Sequence, residues 1–154
     1  MSAHLDQLYQ QVILDHNKSP RNFILLDRPT HQAHGHNPLC GDDYVLELKI
    51  EDGIITEVGI NGAGCAISKA SASIMGTLLK GNPVDESLQL KECFLSLVTQ
   101  DDVSADCRSK LGKLAIFEGV KKFPVRVKCA ALIWRAFEAA IASPVQAEVL
   151  VSTE

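Results

Sequence analysis

The sequence predicts an α+β fold: a small antiparallel three-stranded sheet with helices packed on one face. Three observations lead there. Apolar residues recur at helical spacing near the N-terminus, switch to strict alternation between Tyr44 and Ile60, and return to helical spacing afterwards. Leu5, Leu8, Tyr9, Val12 and Ile13 make one apolar stripe, so residues 4–17 read as an amphipathic helix that Asn17-Lys-Ser-Pro20 ends. Residues 21–39 carry Pro29, Gly35 and Pro38 and read as loop. Next, Tyr44, Leu46, Leu48 and Ile50 alternate with Val45, Glu47 and Lys49. Glu51-Asp-Gly53 turns the chain into a second strand over residues 54–60. A lone hairpin is marginal, so a third strand is expected from residues around 24–36.

Asn61-Gly-Ala-Gly64 ends the second strand and opens a helix of small residues from about Cys65 to Lys80, closed by Gly81-Asn-Pro83. Asp85 or Ser87 is placed to cap a helix through Val98, and residues 99–107 are polar and turn-rich. A further helix is expected from Ser109 to Val120, broken by Lys121-Lys-Phe-Pro124, and a last one from Cys129 to Ala142, with a frayed tail after Pro144. Residues 1–154 form one domain with an ordered core over about 5–142.

The net charge of −4 and pI of about 5.7 argue against nucleic acid or an anionic membrane as the main partner. No apolar run reaches the length of a membrane span, and no secretory signal pattern opens the chain. Five cysteines are an odd number, which rules out a complete internal disulfide framework and favours a reducing, cytoplasmic compartment.

Three of those cysteines sit where a thiolate is favoured. Cys65 follows a Gly-x-Gly turn at a helix start, where free N–H groups and the helix dipole stabilise negative charge. Cys129 is also expected at a helix start, after Arg126 and Lys128, whose charges bias it toward the thiolate. Cys40 lies in Asn37-Pro-Leu-Cys-Gly-Asp42, where Gly41 admits a positive φ that lets Cys40 and Asp42 point the same way. If these turns converge, three thiolates and one carboxylate make a four-ligand set for zinc. The set lacks paired Cys-x-x-Cys knuckles and includes a hard Asp ligand, so the metal would be exchangeable or functional rather than purely structural.

Other residues are weaker candidates. His31, His34 and His36 form a tract that can bind metal, but they read as solvated loop residues. Cys93, beside Phe94 and Leu97, reads as core, and Cys107, after Asp106, as passive. Trp134 and Phe137 read as core, and Ser68, Ser71 and Ser73 as small residues that permit close helix packing.

Taken together these blocks resemble the iron–sulfur cluster assembly family of the IscU/NifU N-terminal type, in its SufU-like branch. The resemblance covers roughly residues 5–142. It rests on Leu8-Tyr9, Asp15-His16 and Pro20; on Asn37-Pro-Leu-Cys-Gly-Asp42; on Gly62-Ala-Gly-Cys-Ala-Ile-Ser68; and on Phe123-Pro-Val-Arg-Val-Lys-Cys-Ala130 with Trp134. It implies a SufE/NifU-like fold and a metal site of Cys40, Asp42, Cys65 and Cys129. Lys128 stands where housekeeping scaffolds carry His, and the long stretch over about 81–122 is consistent with the branch's insertion.

The resemblance further implies a zinc-dependent sulfur relay rather than a multi-turnover enzyme on a small molecule. Cys40 would accept persulfide sulfur from a pyridoxal-phosphate cysteine desulfurase of the SufS kind. Asp42, Cys65 and Cys129 would hold zinc while a desulfurase histidine replaced Cys40, and Arg126 would aid docking or thiolate stabilisation. Sulfur would then pass to downstream iron–sulfur assembly proteins. Two alternatives stay open: a scaffold that builds a [2Fe–2S] cluster on the same residues, and a non-catalytic zinc-binding module.

Overall fold

The computed structural model describes residues 3–142 together with Ala147 and Glu148. Its elements run α1 (Ala3–Lys18), β1 (His31–Asn37), β2 (Asp42–Glu51), β3 (Ile54–Ala63), α2 (Ala66–Leu79), α3 (Val84–Thr99), α4 (Ala105–Leu111), a 3-10 helix (Gly112–Lys122), α5 (Pro124–Ala142) and a two-residue β4 (Ala147–Glu148). The expected α+β layout is present. β1, β2 and β3 form the antiparallel three-stranded sheet, and β4 adds a short parallel pairing on the outer edge of β1. The rest of the tail expected to fray after Pro144, and the side chain of Leu5, lie outside the described residues.

Helices cover one face of the sheet. On that side Ala33, Tyr44, Leu46, Leu48, Val58 and Ile60 are buried beneath Leu132, Trp134 and Ala136 of α5 and Ile74 and Met75 of α2. Phe94 of α3 stacks on Trp134 at 4.7 Å between ring centres and meets Phe117 edge-on. In α1, Tyr9, Val12 and Ile13 pack against this core, as the stripe predicts. On the opposite face, the segment before β1 crosses β3. Asn61 Nδ2 donates to Ile24 O at 3.0 Å, and the Leu26 amide donates to Glu47 Oε1 at 3.0 Å, which explains how Glu47 is buried.

Several boundaries depart from expectation. β1 is the third strand expected around residues 24–36, but it lies later, over His31–Asn37, so His31, His34 and His36 are strand rather than loop residues. α3 begins at Val84 after Pro83, and neither Asp85 nor Ser87 caps it: both lie within its first turn, and Ser87 Oγ donates to Pro83 O. The helix expected from Ser109 to Val120 is two pieces. Ser104 caps α4, and Gly112, at φ 50, turns the chain into the 3-10 helix. α5 starts at Pro124, because proline's fixed φ and missing N–H suit the first helical position. Finally, Cys93 and Cys107 are joined by a disulfide that ties α3 to α4. Cys93 is core as expected, but the cysteines outside the constellation are paired rather than free, because α4 folds back along α3.

Candidate metal centre

Cys40, Cys65 and Cys129 are the three free cysteines, and the fold brings them together with Asp42. Cys40 lies in the turn between β1 and β2. Asn37 folds this turn: its Oδ1 accepts from the Leu39 amide at 3.2 Å and its carbonyl from the Cys40 amide at 3.3 Å. Gly41 takes φ 69, as the Cys-Gly-Asp spacing requires. Asn37 is fully buried, and its Nδ2 lies 3.9 Å from Cys129 Sγ.

Asp42 opens β2 and is fully buried. Its Oδ1 accepts from the Cys65 amide at 2.8 Å. Its Oδ2 has no hydrogen-bond partner among the described residues. A buried carboxylate oxygen without a donor is costly unless a cation takes it, which makes this oxygen an open ligand position.

Cys65 is the N-cap of α2, where its Sγ accepts from the Ser68 amide at 3.4 Å. Its thiol is pulled down to about 6, chiefly by a hydrogen bond from Cys129, with burial opposing and Ser68 assisting. Cys129 behaves in the opposite way from the sequence expectation. With α5 beginning at Pro124 it falls in the second turn, beyond the free N–H groups. It is buried and keeps its proton, donating toward Cys65 and, at 3.0 Å, to Cys40 Sγ; ionisation would cost both bonds, so its thiol is pushed up.

The ligand atoms of Cys40, Asp42 and Cys129 all lie within 4.8 Å of one another. Cys65 joins them through its bond to Cys129 and its amide's hold on Asp42. Three soft sulfurs, one orphaned oxygen and a single shared proton network make a donor set that fits a tetrahedral zinc ion.

Arg126 and Lys128 are placed differently. Arg126 is exposed, with its guanidinium 4.4 Å over the Phe123 ring, and Lys128 is half-buried. Among the described residues neither forms a hydrogen bond or ion pair with a cysteine. Ser68 and Asn37 have clearer parts, and sequence reasoning gave them none. Ser68 bonds Cys65 through its amide and Tyr44 through its hydroxyl at 3.1 Å. The signal for Asn37 was the Asn-Pro start of the cysteine turn. Beside the centre, an apolar groove of about 840 Å³ is lined by Tyr9, Ile13, Leu14, Ile67, Phe123 and Arg126.

The chain is similar to known proteins over most of its length. The family model described as NifU-like N terminal domain matches residues 8–130. The chain is 38% identical over 141 residues to the zinc-dependent sulfurtransferase SufU of Bacillus subtilis, covering 92% of this chain and 94% of that one. It is 35% identical to the iron–sulfur cluster assembly scaffold protein IscU of Streptococcus pyogenes serotype M1, over 90% and 86% of the two chains. A crystal structure of an iron–sulfur cluster assembly scaffold protein for the SUF system from Fervidobacterium islandicum AW-1 superposes with a TM-score of 0.81 at 28% identity, covering 91% and 99%. With the family model matching residues 8–130 and relatives 35–38% identical over most of both chains, the chain belongs to the NifU-like N-terminal domain family.

Proposed function

We propose that this protein is a zinc-dependent sulfur acceptor. It takes persulfide sulfur from a pyridoxal-phosphate cysteine desulfurase and relays it to iron–sulfur cluster assembly in the cytoplasm. Asp42, Cys65 and Cys129 would hold the ion, with Cys40 completing its shell at rest. The observation that carries this is an asymmetry within the four residues. Asp42 and Cys129 are buried on β2 and α5, and Cys65, though half-exposed like Cys40, is held as the N-cap of α2 by the Ser68 amide, whereas Cys40 lies on a turn between strands. One sulfur is therefore placed to leave the set and meet a partner while three ligands stay. The zinc-dependent sulfurtransferase among the relatives supports the same reading.

Bound zinc would supply Lewis acidity that keeps its sulfur ligands deprotonated at neutral pH. The chain's own residues do the rest. The Cys65 amide fixes Asp42 Oδ1 and so leaves Oδ2 free to take an ion. The Asn37 turn presents Cys40. In the transfer, the Cys40 thiolate attacks the outer sulfur of the desulfurase persulfide. A new S–S bond forms on Cys40, the donor's S–S bond breaks, and the donor cysteine leaves as a thiolate. The sulfane sulfur changes owner with no net oxidation.

Protein purified in air is expected to hold about one zinc per chain and to be colourless. Cys40→Ala is expected to fold and to lose persulfide acceptance, read by mass spectrometry after incubation with desulfurase and cysteine. Asp42→Ala is expected to release zinc to a chelator at least tenfold more readily. Retained persulfide on Cys40→Ala would sink the acceptor assignment. The same donor set suits a [2Fe–2S] scaffold, and the scaffold relative keeps that reading alive. A red-brown protein with iron and acid-labile sulfide would favour it.

A further inference from the structure

The histidine tract left aside by the cysteine centre acquires a second reading once it lies on β1. Side chains alternate along a strand, so His34 and His36 share the open face while Ala33, Gly35 and Asn37 are buried toward the helices. β2 runs antiparallel alongside and sets Asp43 directly across from His36. The Asp43 carboxylate spans both rings: Oδ1 contacts His34 Nε2, and Oδ2 lies 3.6 Å from His36 Nδ1. The three side chains are 39%, 36% and 54% exposed, open enough for an ion to arrive with water still attached.

We propose that His34, His36 and Asp43 form a second, weaker site for a divalent transition-metal ion, zinc being the probe. Two imidazole nitrogens and one carboxylate oxygen suit ions of borderline softness, and three protein ligands leave a position for water. Histidines two apart on one strand face can reach a common ion, and the cross-strand carboxylate supplies the third direction. The site is separate from the cysteine centre, because Asp42 and Asp43 are adjacent on a strand and point to opposite faces.

Among the described residues only the cysteine group already has its ligand atoms within 4.8 Å of one another. Here the carboxylate occupies the space between the rings, and His36 Nδ1 also lies 3.1 Å from Asp42 O. Binding must rearrange these contacts, which sets the affinity on the order of micromolar rather than tighter. His31 stays out, since three residues before His34 it falls on the other face of β1, the side of Ala33 and Gly35. An ion here would cross-link β1 and β2 one residue pair before the turn that carries Cys40.

The test is a zinc titration, by calorimetry, of protein that already carries its first equivalent, without reductant so that Cys93 and Cys107 stay joined. A further equivalent is expected in the wild type. His34→Ala/His36→Ala should weaken it at least tenfold and Asp43→Asn should weaken it too, with the first equivalent retained. Cobalt added to zinc-loaded protein should show d–d absorption without a thiolate charge-transfer band. No further equivalent, one that survives the double substitution, or a thiolate band would overturn the site. A wild type that failed to hold its first equivalent would instead count against the cysteine centre, since only the histidine-dependent equivalent reads this site.

Discussion

A Cβ at Gly64 would lie 2.5 Å from Asp42 Oδ1, 2.6 Å from Ser68 Oγ and 2.8 Å from the Tyr44 hydroxyl. Three polar groups that orient Asp42 and Cys65 thus crowd the place where a methyl would go. Gly64→Ala is expected to displace the carboxylate from the Cys65 amide. Zinc affinity should fall at least tenfold in chelator competition, and stability by about 1–3 kcal/mol in urea. Unchanged zinc affinity would show that the carboxylate orientation is not set there. His16 makes a different prediction. It is 3% exposed, its Nδ1 bonds Ser73 Oγ at 2.6 Å, and its Nε2 has no partner among the described residues. Burial first, then the charges of Arg21 and Lys113, lower its pKa to about 4. Unfolded, it titrates near ~6.5. The unfolded chain therefore binds the extra proton between those values. The contribution of His16 is fully present above the unfolded pKa and is lost as pH falls toward the folded one, by roughly 2–3 kcal/mol. Between pH 7.5 and pH 5 the wild-type urea midpoint should drop more than that of His16→Gln. Equal drops would sink the assignment, and loss of zinc in acid cancels in the comparison.

Between α2 and α5 the join is polar as well as apolar. Ser71 Oγ donates to Ala130 O at 2.7 Å and accepts from Trp134 Nε1 at 3.1 Å, all buried. This sets the helix that Cys65 caps against the helix that carries Cys129. Ser71→Ala strands the indole N–H and is expected to cost about 1–3 kcal/mol in urea unfolding, with zinc stoichiometry unchanged. The sequence reading took Ser71 as a packing residue, and its size does matter, but its hydroxyl does more. Elements with a strong local pattern were legible: α1 from its stripe, β2 and β3 from alternation about Asp52-Gly53, α2 from its Gly-x-Gly start. The third strand expected around residues 24–36 is β1, but its bounds were not legible, since its buried side is Ala33, Gly35 and Asn37 rather than large apolar residues. The reason is steric: a Cβ on Gly35 would stand 3.3 Å from Leu132 and 3.5 Å from Ala136, so α5 presses on this strand and leaves no room for Val or Ile. Pro124 reads as a break in the sequence but opens α5, so Cys129 falls a turn beyond the helix start that the sequence predicts for it.

For the molecule as a whole, Cys40, Asp42 and Cys129, three of the four ligands the sequence proposes, have their ligand atoms within 4.8 Å of one another, and the turns around Cys40 and Cys65 are the local features that single them out. Their shared proton was not legible, because it depends on the distance between elements that only the fold supplies. The same holds for the surface around Cys40. If the protein is the sulfur acceptor proposed above, the donor persulfide has to come within bonding distance of Cys40, and the residues beside it are covered in the encounter. Leu39, next to Cys40, is 58% exposed, and Phe123 and Val125, at the start of α5, are 47% and 53% exposed. An exposed apolar side chain beside a reactive group, as Leu39 is, marks a surface that a partner desolvates. The prediction rests on the sulfur-acceptor reading and uses Leu39→Asp. A polar replacement at an exposed turn should change stability by only about 0.5 kcal/mol, and zinc content should not change. Half-saturation of the desulfurase by this protein should rise about tenfold, the cost of leaving one carboxylate poorly solvated at an interface. Turnover at saturation should stay near wild type, because Cys40 and its geometry are untouched. Unchanged half-saturation would put the docking surface elsewhere, with the groove between α1 and the start of α5 as the next place to substitute.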